Sequence, residues 1–162
     1  MTPPPLAAGP AIPLAAAGSH PVFLYGTLTD PDVLARVLGR PVAPDELEPA
    51  HLDGFRRLRA AGASYPVLAP APGAAAEGLL LRRATRRDIL RLNHFESGEY
   101  HAELRPVRTG AGATVPAWLY APLPDLPASA DPWRPDAWRR AHATDFLTAC
   151  DAWMADYPEE EG

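Results

Sequence analysis

The chain has 162 residues, 47% of them hydrophobic, with a formal net charge of −5. This suits a single domain with a sizeable core, with no apolar run long enough to cross a bilayer and no basic patch of the kind nucleic acids require. Cys150 is the sole cysteine and lysine is absent, so an internal disulfide, a CxxC metal site, Schiff-base chemistry and a P-loop are all excluded, and a reducing compartment, the cytoplasm, fits best.

Residues 1–19 carry prolines at 3, 4, 5, 10 and 13, and no Lys or Arg precedes Arg36. A signal peptide needs a positive start and an unbroken apolar stretch. The segment reads instead as a disordered or extended tail, dispensable for stability. Residues 20–157 read as one domain, and 158–162 as a short acidic tail.

Pro21-Val22-Phe23-Leu24-Tyr25 has the look of a strand, closed by Gly26. A helix follows, with Asp30 as N-cap, Pro31 at its first position and Gly39 past its last turn. Its apolar positions Val33, Leu34, Val37 and Leu38 are expected to face a sheet. Residues 52–58 and 65–69 read as strands. Pro70-Ala71-Pro72-Gly73 reads as a turn before a further strand at 77–83. Thr85-Arg86-Arg87-Asp88 is a capping-box signature, opening a helix with Ile89, Leu92 and Phe95 on its apolar side and Ser97-Gly98 as its stop. Residues 100–107 and 114–120 read as a hairpin around Gly110-Ala111-Gly112. A last helix begins near Pro135, with Trp138, His142, Phe146, Ala149, Trp153 and Tyr157 on one stripe, read as core packing. The pattern is α+β (mixed α/β).

Three features carry possible chemistry. Tyr25-Gly26-Thr27-Leu28 leaves a strand and enters a helix, where a glycine lets several N–H groups converge into an anion cradle, although an ordinary strand–helix turn has the same look. Glu96 follows Phe95 in the last turn of the capped helix, where the helix dipole and apolar neighbours would raise a carboxyl pKa towards neutrality. A solvated helix-end glutamate is the alternative. Tyr65, Tyr100 and Tyr120 end strands, and each either donates a hydrogen bond in a pocket or caps the core with its ring. His20, His51, His94, His101 and His142 show neither HxxxH nor HExxH spacing, against a zinc site. Cys150 reads as a buried, inert thiol.

Taken as an ordered set, Phe23-Leu24-Tyr25-Gly26-Thr27-Leu28, Leu52-Asp53-Gly54-Phe55-Arg56-Arg57, Tyr65-Pro66-Val67-Leu68, Glu77-Gly78-Leu79-Leu80, Leu92-Asn93-His94-Phe95-Glu96 and Ala117-Trp118-Leu119-Tyr120 closely resemble the γ-glutamylcyclotransferase (AIG2-like) family. The resemblance implies a small β-barrel flanked by helices, in which Tyr25, Gly26, Thr27 and Leu28 bind the γ-glutamyl part of a small substrate and Glu96 is the acid–base residue. Tyr65, Tyr100 and Tyr120 complete the expected binding site. The implied reaction is cyclisation of a γ-glutamyl amine or peptide to 5-oxoproline, with no metal or organic cofactor because the nucleophile belongs to the substrate. A monomer or homodimer is expected, with no nucleic-acid or membrane partner. Asn93 stands where the family usually has Asp, Ser97 replaces a common Gly, and His101-Ala102 follow Tyr100 where an Arg is often nearby. A binding or regulatory module on the same fold is the alternative function.

Overall fold

The computed structural model describes residues 4–96, 100–122 and 127–157. The described elements are β1 (Ala7–Gly9), β2 (Val22–Leu24), α1 (Pro31–Leu38), β3 (Leu47–Ala60), β4 (Pro66–Leu81), α2 (Arg86–Phe95), β5 (Tyr100–Thr109), β6 (Thr114–Pro122), β7 (Ala128–Pro132) and α3 (Pro135–Ala155). The expected stop at Ser97-Gly98 and the acidic tail fall outside the described residues.

Every residue from Val22 to Tyr25 is buried, and so is every residue from Ala117 to Ala121. A strand buries all its side chains only when both its faces are covered. Alternate residues of β2 and β6 do point to two different cores. Leu119 joins Phe23, Tyr25, Leu52, Phe55, Leu80 and Val107 in one. Val22, Leu24, Trp118 and Tyr120 pack instead with residues of the three helices. The first core is the inside of a barrel. Its five strands pair in the order β5, β6, β2, β4, β3, and β3 closes on β5 through Ala50 to Thr109 and His51 to Arg108. Only β2 and β6 run parallel within this ring. The small β-barrel flanked by helices that the sequence implies is therefore what the chain forms, and each fully buried Leu, Ile, Val or Phe in it contributes about 1.5–3 kcal/mol.

Helix α1 forms where its punctuation predicts. The Asp30 carboxylate accepts from the N–H groups of Asp32 (3.0 Å) and Val33 (3.3 Å), and Gly39 takes a left-handed φ of 67° at the other end. A Cβ at Gly39 would meet the guanidinium groups of Arg87 and Arg91 at 2.9 Å. Those two cations reach the last turn of α1, Arg87 donating to the Leu38 carbonyl and Arg91 to that of Val37, each at 2.6 Å. Cations complement the negative end of a helix. Rather than facing a sheet alone, Val33, Leu34, Val37 and Leu38 share their core with Ile89 and Leu92 of α2 and with Trp138 and Cys150 of α3. The Thr85 capping box opens α2 as expected, with Asp88 N–H donating to Thr85 Oγ1 and Thr85 N–H to Asp88 Oδ2.

Four expectations change. Residues 4–19 are extended in part, yet they pack on the domain. Strand β1 pairs antiparallel with β5, Ile12 is 2% exposed, and the Ile12 N–H and C=O both bond the Asn93 amide. Strand β3 starts at Leu47, earlier than expected, because Pro49 hides a strand from sequence reading while its carbonyl still accepts from Gly110. The turn at Pro70-Ala71-Pro72-Gly73 does not separate two strands. It is an excursion within the continuous β4, where the register jumps from Phe55–Pro70 to Asp53–Ala75 across Gly54. Last, the buried face of α3 is Trp138, Ala143, Cys150 and Met154, while His142, Ala149 and Trp153 are exposed. Small residues, Ala143 and Cys150, turn inward here, and the aromatic stripe is shifted partly out of the core.

Candidate active site

Beyond the end of β2, the chain turns at Gly26 into a single 3-10 turn, Thr27–Thr29, before α1. The first N–H groups of such a turn have no acceptor within it. Gly26 lies against Pro66, where an added Cβ would sit 3.1 Å from Cγ. Glu96 is the C-cap of α2, its N–H donating to the Leu92 carbonyl at 3.0 Å. Tyr100 opens β5 and Tyr120 sits near the end of β6.

These elements enclose one cavity of about 280 Å³. Tyr25, Gly26, Thr27, Leu28, Tyr65, Glu96, Tyr100 and Tyr120, the eight residues singled out in the sequence, all line it. Sequence reading missed the rest of the lining. Phe23, Leu24 and Pro66 come from the barrel side, Phe95 from α2, and Phe146, Ala149, Cys150 and Trp153 from α3. The α3 residues were legible only as a helical aromatic stripe, whose expected place was the core.

The two central tyrosines are engaged by the fold. Tyr25 donates its hydroxyl to the Tyr120 carbonyl at 2.5 Å, and Tyr120 donates its own to Asn93 Oδ1 at 2.7 Å. Burial, with smaller contributions from Tyr100, Glu96 and Glu103, pushes the Tyr25 hydroxyl well above its ordinary pKa. Burial and then the charge of Glu96 do the same for Tyr120. Both phenols therefore stay protonated and hold their bonds at neutral pH. The single O–H proton of Tyr120 is committed to Asn93, which leaves the ring and the hydroxyl lone pairs to the cavity.

Cys150 lines the cavity but is 3% exposed, and burial followed by Asp151 raises its thiol to about 11. Such a thiol is protonated at neutral pH and a poor nucleophile. Among the described residues no three His, Cys, Asp or Glu side chains gather as a metal site. Among them also, no helix is long and apolar enough to cross a membrane.

A closed five-stranded barrel, with a carboxylate at a helix end facing an aromatic cavity beside a strand–turn–helix, defines the class. The chain belongs to the family described as gamma-glutamyl cyclotransferase, AIG2-like, whose model matches residues 22–140. AIG2-like protein A of Arabidopsis thaliana is 29% identical over 139 residues, covering 79% of this chain and 77% of that protein. A solution structure of an Arabidopsis thaliana protein superposes with a TM-score of 0.58 at 25% identity, over 88% of this chain and 95% of the other. A structure named gamma-glutamyl cyclotransferase superposes with a TM-score of 0.52 at 14% identity, over 88% and 93%, a likeness of fold. The family match starts at Val22, so β1 and Ile12 lie outside it while Asn93, which Ile12 clasps, lies within.

Proposed function

We propose that this protein cyclises a γ-glutamyl amine or γ-glutamyl peptide to 5-oxoproline, with Glu96 as the proton carrier. The observation that supports this reading is the meeting of Glu96 and the Tyr25-Gly26-Thr27-Leu28 turn on one cavity. The turn holds the glutamyl head, and its amide groups face the oxygen on which negative charge develops. The substrate's α-ammonium gives one proton to Glu96, and the resulting amine attacks its own γ-carbonyl carbon, its second proton passing to the departing amine, which leaves as an ammonium. A carbon–nitrogen bond forms within the ring and the bond to the departing nitrogen breaks. Glu96 returns its proton to that nitrogen, so the step consumes neither water nor oxidant.

The test is release of 5-oxoproline from a panel of γ-glutamyl compounds by wild type and by Glu96→Gln. The amide keeps the side-chain volume but cannot carry the proton, and such transfer contributes about 10²–10⁴-fold to rate. The variant is expected to fold, bind and turn over slower by that factor. Glu77→Gln, an exposed position outside the cavity, is expected to behave as wild type. Equal losses in both variants remove Glu96 from the reaction. Ligand binding without any turnover by wild type favours the regulatory module.

A further inference from the structure

One wall of the cavity is built from the middle of a helix. Phe146, Ala149, Cys150 and Trp153 project from α3, and Phe95 adjoins them from α2. Mid-helix amides are consumed by the helix's own ladder, so this wall offers side chains alone. All five are uncharged at neutral pH, the thiol included. Among the described lining residues Glu96 is the one charged group. No arginine side chain is among the described residues that line the cavity. Arg91 donates to the end of α1, Arg105 to Glu103 at 2.6 Å, and Arg57 to the Tyr25 carbonyl at 3.3 Å. His94 stacks on Trp153 at 5.2 Å, its Nε2 within 3.2 Å of the Trp153 carbonyl oxygen.

We infer that the moiety leaving this site is an uncharged apolar amine, alkyl or aryl, and not an amino acid or peptide bearing a free carboxylate. The inference rests on the cyclotransferase reading and specifies its substrate. With the glutamyl head on the Tyr25–Leu28 turn, a carboxylate beside the departing nitrogen would lie against the α3 wall, which among the described residues offers neither a cation nor a free amide, and near Glu96. A buried charge without such partners is strongly disfavoured. An aromatic or alkyl group there would instead cover Phe146 and Trp153, and Trp153, 45% exposed, has apolar surface to be covered.

The experiment compares γ-glutamyl-(2-phenylethyl)amide with γ-glutamyl-phenylalanine, which differ only in the carboxylate on the leaving group. Wild type is expected to favour the amide by about 100-fold or more in kcat/KM. Trp153→Arg, at a half-exposed position, adds a cation to the wall and is expected to narrow that ratio at least tenfold, with its Tm recorded alongside. Equal turnover of the two compounds, or preference for the phenylalanine compound, overturns the inference and leaves the cyclotransferase standing. Failure of wild type to release 5-oxoproline from either compound and from the wider panel overturns both.

Discussion

Asn93 shows how much one side chain ties together. Its Oδ1 accepts from the Ile12 N–H at 2.9 Å and from the Tyr120 hydroxyl at 2.7 Å, while its Nδ2 donates to the Ile12 carbonyl at 3.0 Å. The amide donates through one atom and accepts through the other, whereas an ionised Asp at this position could only accept and would not close the same clasp. Asn93→Asp loses one donor and introduces a charge, and is expected to destabilise the fold by about 1–3 kcal/mol. Denaturant unfolding measures this. The effect should shrink in a protein lacking residues 1–13, because the partner is already gone and coupled residues do not add. Equal effects in both backgrounds would show that the clasp contributes nothing. The sequence marked Asn93 only as a departure from the family pattern. Its partner lies 81 positions away on a segment with no apolar period, and no local signal points there. Glu96 and the Tyr25 turn were legible because an ordered set of short motifs identified them together, whereas neither stands out alone.

At the scale of elements, local punctuation was read well and long-range packing poorly. The caps of α1 and the N-terminal cap of α2 depend on residues two to four apart, and the structure forms them as written. The burial phase of α3 depends on what α1 and α2 present to it, and aromatic size misled the reading. Strand β7 went unforeseen, since it pairs through the backbone at just Leu58–Pro132 and Ala60–Ala128, with exposed or half-exposed side chains. A second long-range device is Arg40, which binds Asp88 through Nε (3.1 Å) and Nη2 (2.9 Å) and also reaches Glu46 at 2.9 Å. Asp88 is fully buried. Burial alone would raise its pKa, but the Arg40 and Thr85 hydrogen bonds outweigh that and hold it below the usual carboxylate range. A depressed folded-state pKa adds stability that is complete above the unfolded value, about 3.9, and lost as pH falls through the folded one. Asp88→Asn is expected to cost about 2–3 kcal/mol at pH 7, from the lost charged hydrogen bonds and the weakened cap. The gap between variant and wild type should close below pH 4 in acid-unfolding curves. A gap unchanged down to pH 2 would rule out the ionised pair as its source.

For the whole molecule, the barrel and its helical cover followed from the resemblance, but the reach of the N-terminal segment did not. Strand β5 carries β6 on one edge, and β1 and β3 share the other. Removing β1 bares backbone groups of β5 near Ala102 and opens the site that buries Ile12. Deletion of residues 1–13 is expected to cost about 3 kcal/mol or more. For a chain of this size that lowers the Tm by roughly 10 °C in calorimetry. An unchanged Tm would return the segment to the status of a tail.

The closure of the barrel also has a consequence during synthesis. Strand β2 leaves the ribosome ahead of both its neighbours, β4 and, through Trp118, β6. Until β6 follows, Val22-Phe23-Leu24-Tyr25 has an unpaired edge and two apolar faces. At translation rates of about 5–20 residues per second, that interval lasts roughly 5–20 seconds. A nascent chain of this protein therefore carries a sticky strand for far longer than a domain built from neighbouring hairpins, and slower translation would lengthen its exposure to aggregation and to chaperones.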